Sequence, residues 1–304
     1  VQNAGANAYN VAVGYEAGAS VTTGLRNVLI GGEAADALTS GNDNVALGHA
    51  ALGAEDTGAK NTAIGSYALA SLDYNGDGHN IAVGFNAGLN MSTGTQNTII
   101  GSVAGDALTT GGSNIAIGVL ALSAEDTGSR NVAIGYGSLE NQNYDGSAYN
   151  VAVGYDSGKQ ITTGIRNTIM GSLAGDALTT GSNNVAIGYA ALSGEDGDGR
   201  NVAIGAGALY ALNAGADAYN IAIGYDAGGS MSTGTKNVII GGLAGDALTT
   251  GGFNIAIGYA ALSTEDGHGH NIAIGREALF AQNAGAEAYN VAIGDLAGKS
   301  VTTG

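Results

Sequence analysis

The side chains able to do chemistry recur at fixed intervals along this chain of 304 residues. Four acidic pairs, Glu55-Asp56, Glu125-Asp126, Glu195-Asp196 and Glu265-Asp266, are spaced 70 residues apart, and Asp198 extends the third. Adjacent carboxylates suit a hard divalent cation, which takes oxygen ligands. Asp73-Tyr74-Asn75-Gly76-Asp77-Gly78 matches the opening of a calcium loop, with oxygens at the first, third and fifth places and Gly at the sixth. The Glu such a loop needs at its twelfth place is replaced by Gly84. Later copies thin to Asn143 and Asp145, Asn213 and Asp217, or Asn283 and Glu287. The expectation is a solvated turn, with weakly bound calcium as the alternative. His49, His79, His268 and His270 do not recur together, so they do not supply the clustered ligands of a zinc site. Tyr15, Phe85, Tyr155 and Tyr225 each follow a Gly; edge packing between neighbouring segments is the expected role, a sugar-stacking stripe the other. No Ser, His and Asp arrangement stands out, and no Gly-rich turn leads into a helix that would cradle phosphate. Catalysis needs one unusual site, whereas this chain repeats itself. The sequence therefore yields no catalytic, cofactor-binding or metal-binding residue assignment, and an enzyme is not expected.

What must position these side chains is the repeat itself. Asn, apolar, small or apolar, apolar, Gly recurs seventeen times, from Asn10 to Asn290. Successive Asn residues are 17, 17, 17 and 19 apart, and the cycle then restarts. The 70-residue superperiod gives superrepeats 10–79, 80–149, 150–219 and 220–289 within one continuous array, residues 1–304, which reads as a segment of a longer one. Seventeen residues are too few for the helical repeat families, which need about 33 or more. They fit one coil of a parallel β-solenoid with two short strands and two turns, an all-β fold. Within Val132-Ala133-Ile134 the first and third side chains point one way and the second the other; Ala121-Leu122 marks the second apolar pair. Rungs stacked at about 4.8 Å would make a rod roughly 80 Å long. The acidic pairs, four rungs apart, would then stand roughly 19 Å from one another, too far to share an ion, so a charged rim is expected. The recurring Asn is read as an amide ladder along the axis. The Gly four places on, as at Gly14, Gly84, Gly154 and Gly224, is read as a tight corner, and Thr-Gly or Ser-Gly as the opposite turn.

Composition agrees with that architecture. The chain has 55 Gly, no Pro, no Cys, no Trp and 3 Phe, too few large aromatics for a globular core of this size. Hydrophobic content of 44% with 12% charged residues is opposite to the disordered signature. A net charge of -17 disfavours nucleic acid and anionic membrane, and no apolar run is long enough to insert into one. The absence of Cys removes thiol chemistry. The middle residue of the strand is Ala, or Leu29, Ile99, Ile169 and Ile239 in the second rung of each set, and is never charged. A strand apolar on both faces reads as buried on both. A thin coil cannot do that alone, so self-association is expected, with three chains preferred and an end-to-end filament as the alternative.

Asn131-Val132-Ala133-Ile134-Gly135, Asn184-Val185-Ala186-Ile187-Gly188 and Asn290-Val291-Ala292-Ile293-Gly294 resemble the head repeats of trimeric autotransporter adhesins, the YadA-like heads. Asn61-Thr62-Ala63-Ile64-Gly65-Ser66 is similar to repeats of bacteriophage tail fibres. The resemblance runs from Asn10 to Gly304. It implies a left-handed β-roll, a homotrimer, display outside a cell or on a virion, and attachment to an unidentified receptor. The rungs here are longer than those of the adhesin heads, and neither a neck motif nor a coiled-coil stalk occurs. An ice- or mineral-binding solenoid would want a regular Thr array, whereas Thr22-Thr23, Thr109-Thr110 and Thr162-Thr163 serve only some rungs.

Overall fold

The computed structural model describes residues 7–194, 197 and 199–303. It is all-β, a parallel β-solenoid with one three-residue strand per rung and no helix among the described residues. Two compact units are distinguished, Val1–Tyr149 and Asn150–Gly304, the division falling where two superrepeats meet. Among the described residues the first holds eight strands, from Val11–Val13 to Val132–Ile134, and the second nine, from Val151–Val153 to Val291–Ile293. Within each unit sequential strands pair in parallel and in strict register, as in Val185 with Val202, Ala186 with Ala203 and Ile187 with Ile204. The ladder closes through bonds such as Val28 N to Asn44 O at 2.9 Å and Gly48 N to Ile30 O at 2.8 Å.

Strands stop at three residues because the backbone turns left-handed at both ends. The residue before each Asn has positive φ, as at Arg130 (62°) and Arg200 (62°). The corner Gly has φ near 130–144°, a region that favours Gly. At Gly188 (φ 132°) a Cβ would also stand 2.6 Å from the carbonyl carbon of Gly205 in the next rung. The corner thus excludes side chains twice, by conformation and by the closeness of the stacked backbones.

The second expected strand does not form. Its apolar pairs lie in successive turns, where Leu52 (φ 56°), Leu122 (54°), Leu192 (56°) and Leu262 (54°) adopt the left-handed conformation. That conformation costs about 1–2 kcal/mol for a non-Gly residue. Fully burying a Leu side chain contributes about 1.5–3 kcal/mol, and each of these four is fully buried, so packing outweighs strain.

The middle strand residue points inward. Ala46, Ala116, Ala186 and Ala256 have no exposed surface, nor do Ile99, Ile169 and Ile239. Volume is traded across the coil. In first and second rungs Ile99 fills from the strand side, and a Cβ on Gly88 or Gly105 would stand 3.1 or 3.4 Å from its Cδ1. In third and fourth rungs the strand carries Ala116 and Ala133, and Leu122 and Leu139 fill from the turn side. The four-rung period is this alternation of which wall supplies the bulk.

The recurring Asn is buried but acts otherwise than as a pure amide ladder. In shorter rungs its Nδ2 donates to a carbonyl 14 residues on where that residue is described, as from Asn27 to Gly41 (2.8 Å) and Asn167 to Gly181 (2.9 Å). Its Oδ1 accepts the backbone N–H of the next Asn, as Asn167 does from Asn184 at 2.9 Å. The amide ties its strand both to the closing turn of its own rung and to the rung above. Amide-to-amide bonds occur as longer supplements, as from Asn237 to Asn220 at 3.2 Å.

Candidate functional site

The acidic pairs are split between interior and surface. Glu55, Glu125 and Glu265 have no exposed surface, so the expected charged rim is wrong for these three Glu residues. The cause is positional. Each of the three takes the interior place that is Leu38, Met91, Leu108 or Ile161 in other rungs. It is held there by backbone donors: Glu55 accepts from Gly58 N (2.6 Å) and Tyr74 N (3.3 Å), and Glu125 from Gly128 N (2.7 Å) and Tyr144 N (3.4 Å). The donors at Tyr74 and Tyr144 belong to the fourth rung, which is two residues longer than the others. Burial pushes the Glu55 and Glu125 carboxyls up to about 7. Glu195, Asp196 and Asp198 lie outside the described residues.

Among the described residues, two clusters bring possible cation ligands together. Ligand atoms of Glu55, Asp56 and Asp73 lie within 4.8 Å of one another, as do those of Glu265, Asp266 and His268. Within the calcium-loop-like segment Asp73 to Gly78, Asn75 Oδ1 accepts from Thr57 (2.6 Å) and Asp77 pairs with Lys60 (2.5 Å). Asp73 turns instead toward the Glu55-Asp56 pair. His268 Nδ1 lies 3.1 Å from Glu265 Oε1, and His270 Nδ1 lies 2.9 Å from Glu287, stacked against Phe253. His49 meets the edge of Tyr67.

Tyr15, Phe85, Tyr155 and Tyr225 stand at the surface, 71%, 53%, 53% and 63% exposed. A second column passed unnoticed in the sequence. The residue before each Asn includes Arg26, Lys60, Arg130, Arg166, Arg200 and Lys236, six of the nine cations. Arg26, Lys60 and Arg200 pair with carboxylates of the next rung, Arg26 with Asp43 at 2.6 Å, and Arg130 and Lys236 lie over the rings of Tyr149 and Phe253. The signal available was positional: aligning the rungs on their Asn places these cations in one column.

The outward face of the strands is a surface feature repeated in every rung. First and third residues of every strand are Val, Ile, Leu or Met, except Thr62, Thr98 and Thr168, and none is charged. In the first unit Leu47, Ile81, Ile100 and Ile115 are exposed, and in the second Met170, Ile221 and Ile223. No family model matches the chain, and neither a curated protein nor a solved structure does. Function must therefore be argued from this surface. No helix among the described residues is long and apolar enough to cross a membrane.

Proposed function

We propose that the chain is a segment of an extracellular fibre, on a cell surface or a virion, that serves attachment and acts without catalysis. Its apolar strand face is covered by further copies of the same chain, three being the preferred number. The supporting observation is the two columns of Val and Ile standing outward on either side of an inward Ala. Contiguous apolar surface of this kind marks an interaction site, because monomeric proteins rarely leave it open to water. A repeating face meets its own repeat at the same spacing, so a second copy matches it rung for rung. The net charge of -17 keeps the remaining surface soluble and disfavours nucleic acid and anionic lipid as partners. The resemblance to adhesin-head and tail-fibre repeats supports attachment and an exterior location.

The chain has no Cys, so one can be placed at will. Ile115→Cys, on the strand face, should give covalently linked pairs on mild oxidation, whereas Thr110→Cys, exposed on a turn, should not. Equal, background-level linking in both variants would refute the self-covered face.

A further inference from the structure

In the second unit a cavity of about 470 Å³ opens beside the Gly corners and is lined by Tyr189, Tyr210, Tyr225, Asp226 and Asp246. Its existence depends on two small residues that also line it, Ala206 and Gly229. The superrepeats supply an internal comparison, because positions 70 residues apart are equivalent. Seventy residues before Gly229 stands Lys159, whose Nζ lies 3.3 Å from Asp156, the counterpart of Asp226. Seventy residues after Gly229 stands Lys299, paired with Glu277. Seventy residues after Ala206 stands Arg276, paired with Asp295 at 2.9 Å. Where carboxylates gather at this corner in the rest of the unit, the chain supplies its own cation. Around the cavity that cation is missing and the acids remain. Asp246 Oδ1 is buried and has no hydrogen-bond partner. Burial raises the Asp246 carboxyl; the backbone N–H groups of Asp246 and Ala247 pull it partly back, and the nearby charge of Asp226 adds a smaller upward push.

We propose that this cavity binds a primary alkylammonium group, seated between Asp226 and Asp246 where Lys159 places its own ammonium in the equivalent rung. Two carboxylates without a cation call for positive charge, and three tyrosines attract a cation and cover its alkyl stem. A bare metal ion would leave most of the space unfilled, and a neutral sugar would leave both charges uncompensated. The ammonium can come from a free polyamine or from a lysine side chain of another protein; the chemistry recognised is the same. The site does not depend on the self-association proposed above, since every residue in it belongs to one unit of one chain.

The test is calorimetric titration of the 304-residue chain with n-butylammonium chloride. One saturable site per chain is expected, weakening as sodium chloride is added. Asp246→Asn should weaken it by at least about tenfold. Gly229→Lys should abolish it by supplying an internal ammonium. There is room for that side chain, since the nearest atom to a Cβ at Gly229 is 3.4 Å away. The Gly229→Lys protein should melt at or above the parent's temperature, which separates a filled site from a misfolded one. Tighter binding of spermidine than of Nα-acetyl-lysine N-methylamide would identify a polyamine site, and the reverse a protein lysine. Absence of saturable binding, equal affinity in the parent and Gly229→Lys, or a preference for methyl glucoside would each overturn the proposal.

Discussion

At the scale of single residues, the Asn and the corner Gly hold the stack by different means. Replacing Asn167 with Ala strips partners from Gly181 O and from Asn184 N, both in the interior. Each orphaned group costs about 1–3 kcal/mol. Gly188→Val is expected to do more damage, because it needs φ of 132° and drives a side chain into the Gly205 backbone. Urea melts should rank parent, Asn167→Ala, Gly188→Val in falling stability, and equal midpoints would contradict both roles. The buried Glu residues give a second prediction. The folded state holds the protons of Glu55 and Glu125 up to about pH 7, against an ordinary value of 4.5. The stability they contribute is therefore complete below pH 4.5 and lost as pH rises through about 7. Asp43 and Asp295, held low by Arg26 and Arg276, act in the opposite sense, so the informative quantity is a difference. A Glu55→Gln, Glu125→Gln double variant should lose less stability than the parent across that window. Parallel pH profiles would show that these carboxyls do not titrate there.

At the scale of the rung, bulk supplied from one wall is matched by its absence on the other. Ile99→Ala should open a cavity beside Gly88 and Gly105 and cost about 2–5 kcal/mol. Gly105→Leu in that background should restore part of the loss. Gly105 has φ of 47°, and Leu122 occupies the equivalent place of the following rung at 54°. Thermal melts of the single and double variants check this, and a double variant no better than Ile99→Ala would remove the volume-exchange account. The period, the parallel stacking and the Gly corners were legible in the sequence because they rest on spacing alone. The second strand was misread because Ala121-Leu122 has an apolar pattern that an extended segment and a left-handed turn share. Burial of Glu55 was hidden because an acidic pair reads as exposed. Only its alignment with Leu38 and Met91 shows that the place is interior. The cavity at Tyr225 was hidden for a further reason: it is made by missing side chains at Ala206 and Gly229, visible when the superrepeats are laid over one another.

At the scale of the whole molecule, the apolar interior is closed, although a few buried polar atoms, such as Asn61 Nδ2 and Asn201 Nδ2, have no hydrogen-bond partner. Ala and Leu close the coil, Asn and Glu satisfy its turns, and the cations are mostly spent on neighbouring carboxylates and rings. What remains open to water is the Val and Ile face of each unit. Burial of that face contributes roughly 25 cal/mol for each Å² removed from water. Under the self-covering proposed above, that contribution is summed over the repeated strands of each unit. Charged substitutions there should dissociate the assembly while leaving the rung intact. Ile221→Lys with Ile223→Lys is the clearest pair, since both side chains are exposed and neither fills the coil. Circular dichroism unchanged from the parent, together with a lower mass, is the expected outcome; unchanged mass would move the interface elsewhere.

The most direct measurement is sedimentation equilibrium of the parent chain over a wide concentration range. Self-covering of the strand face predicts an integral multiple of 29.6 kDa, three being preferred. A single species of 29.6 kDa at every concentration would contradict it.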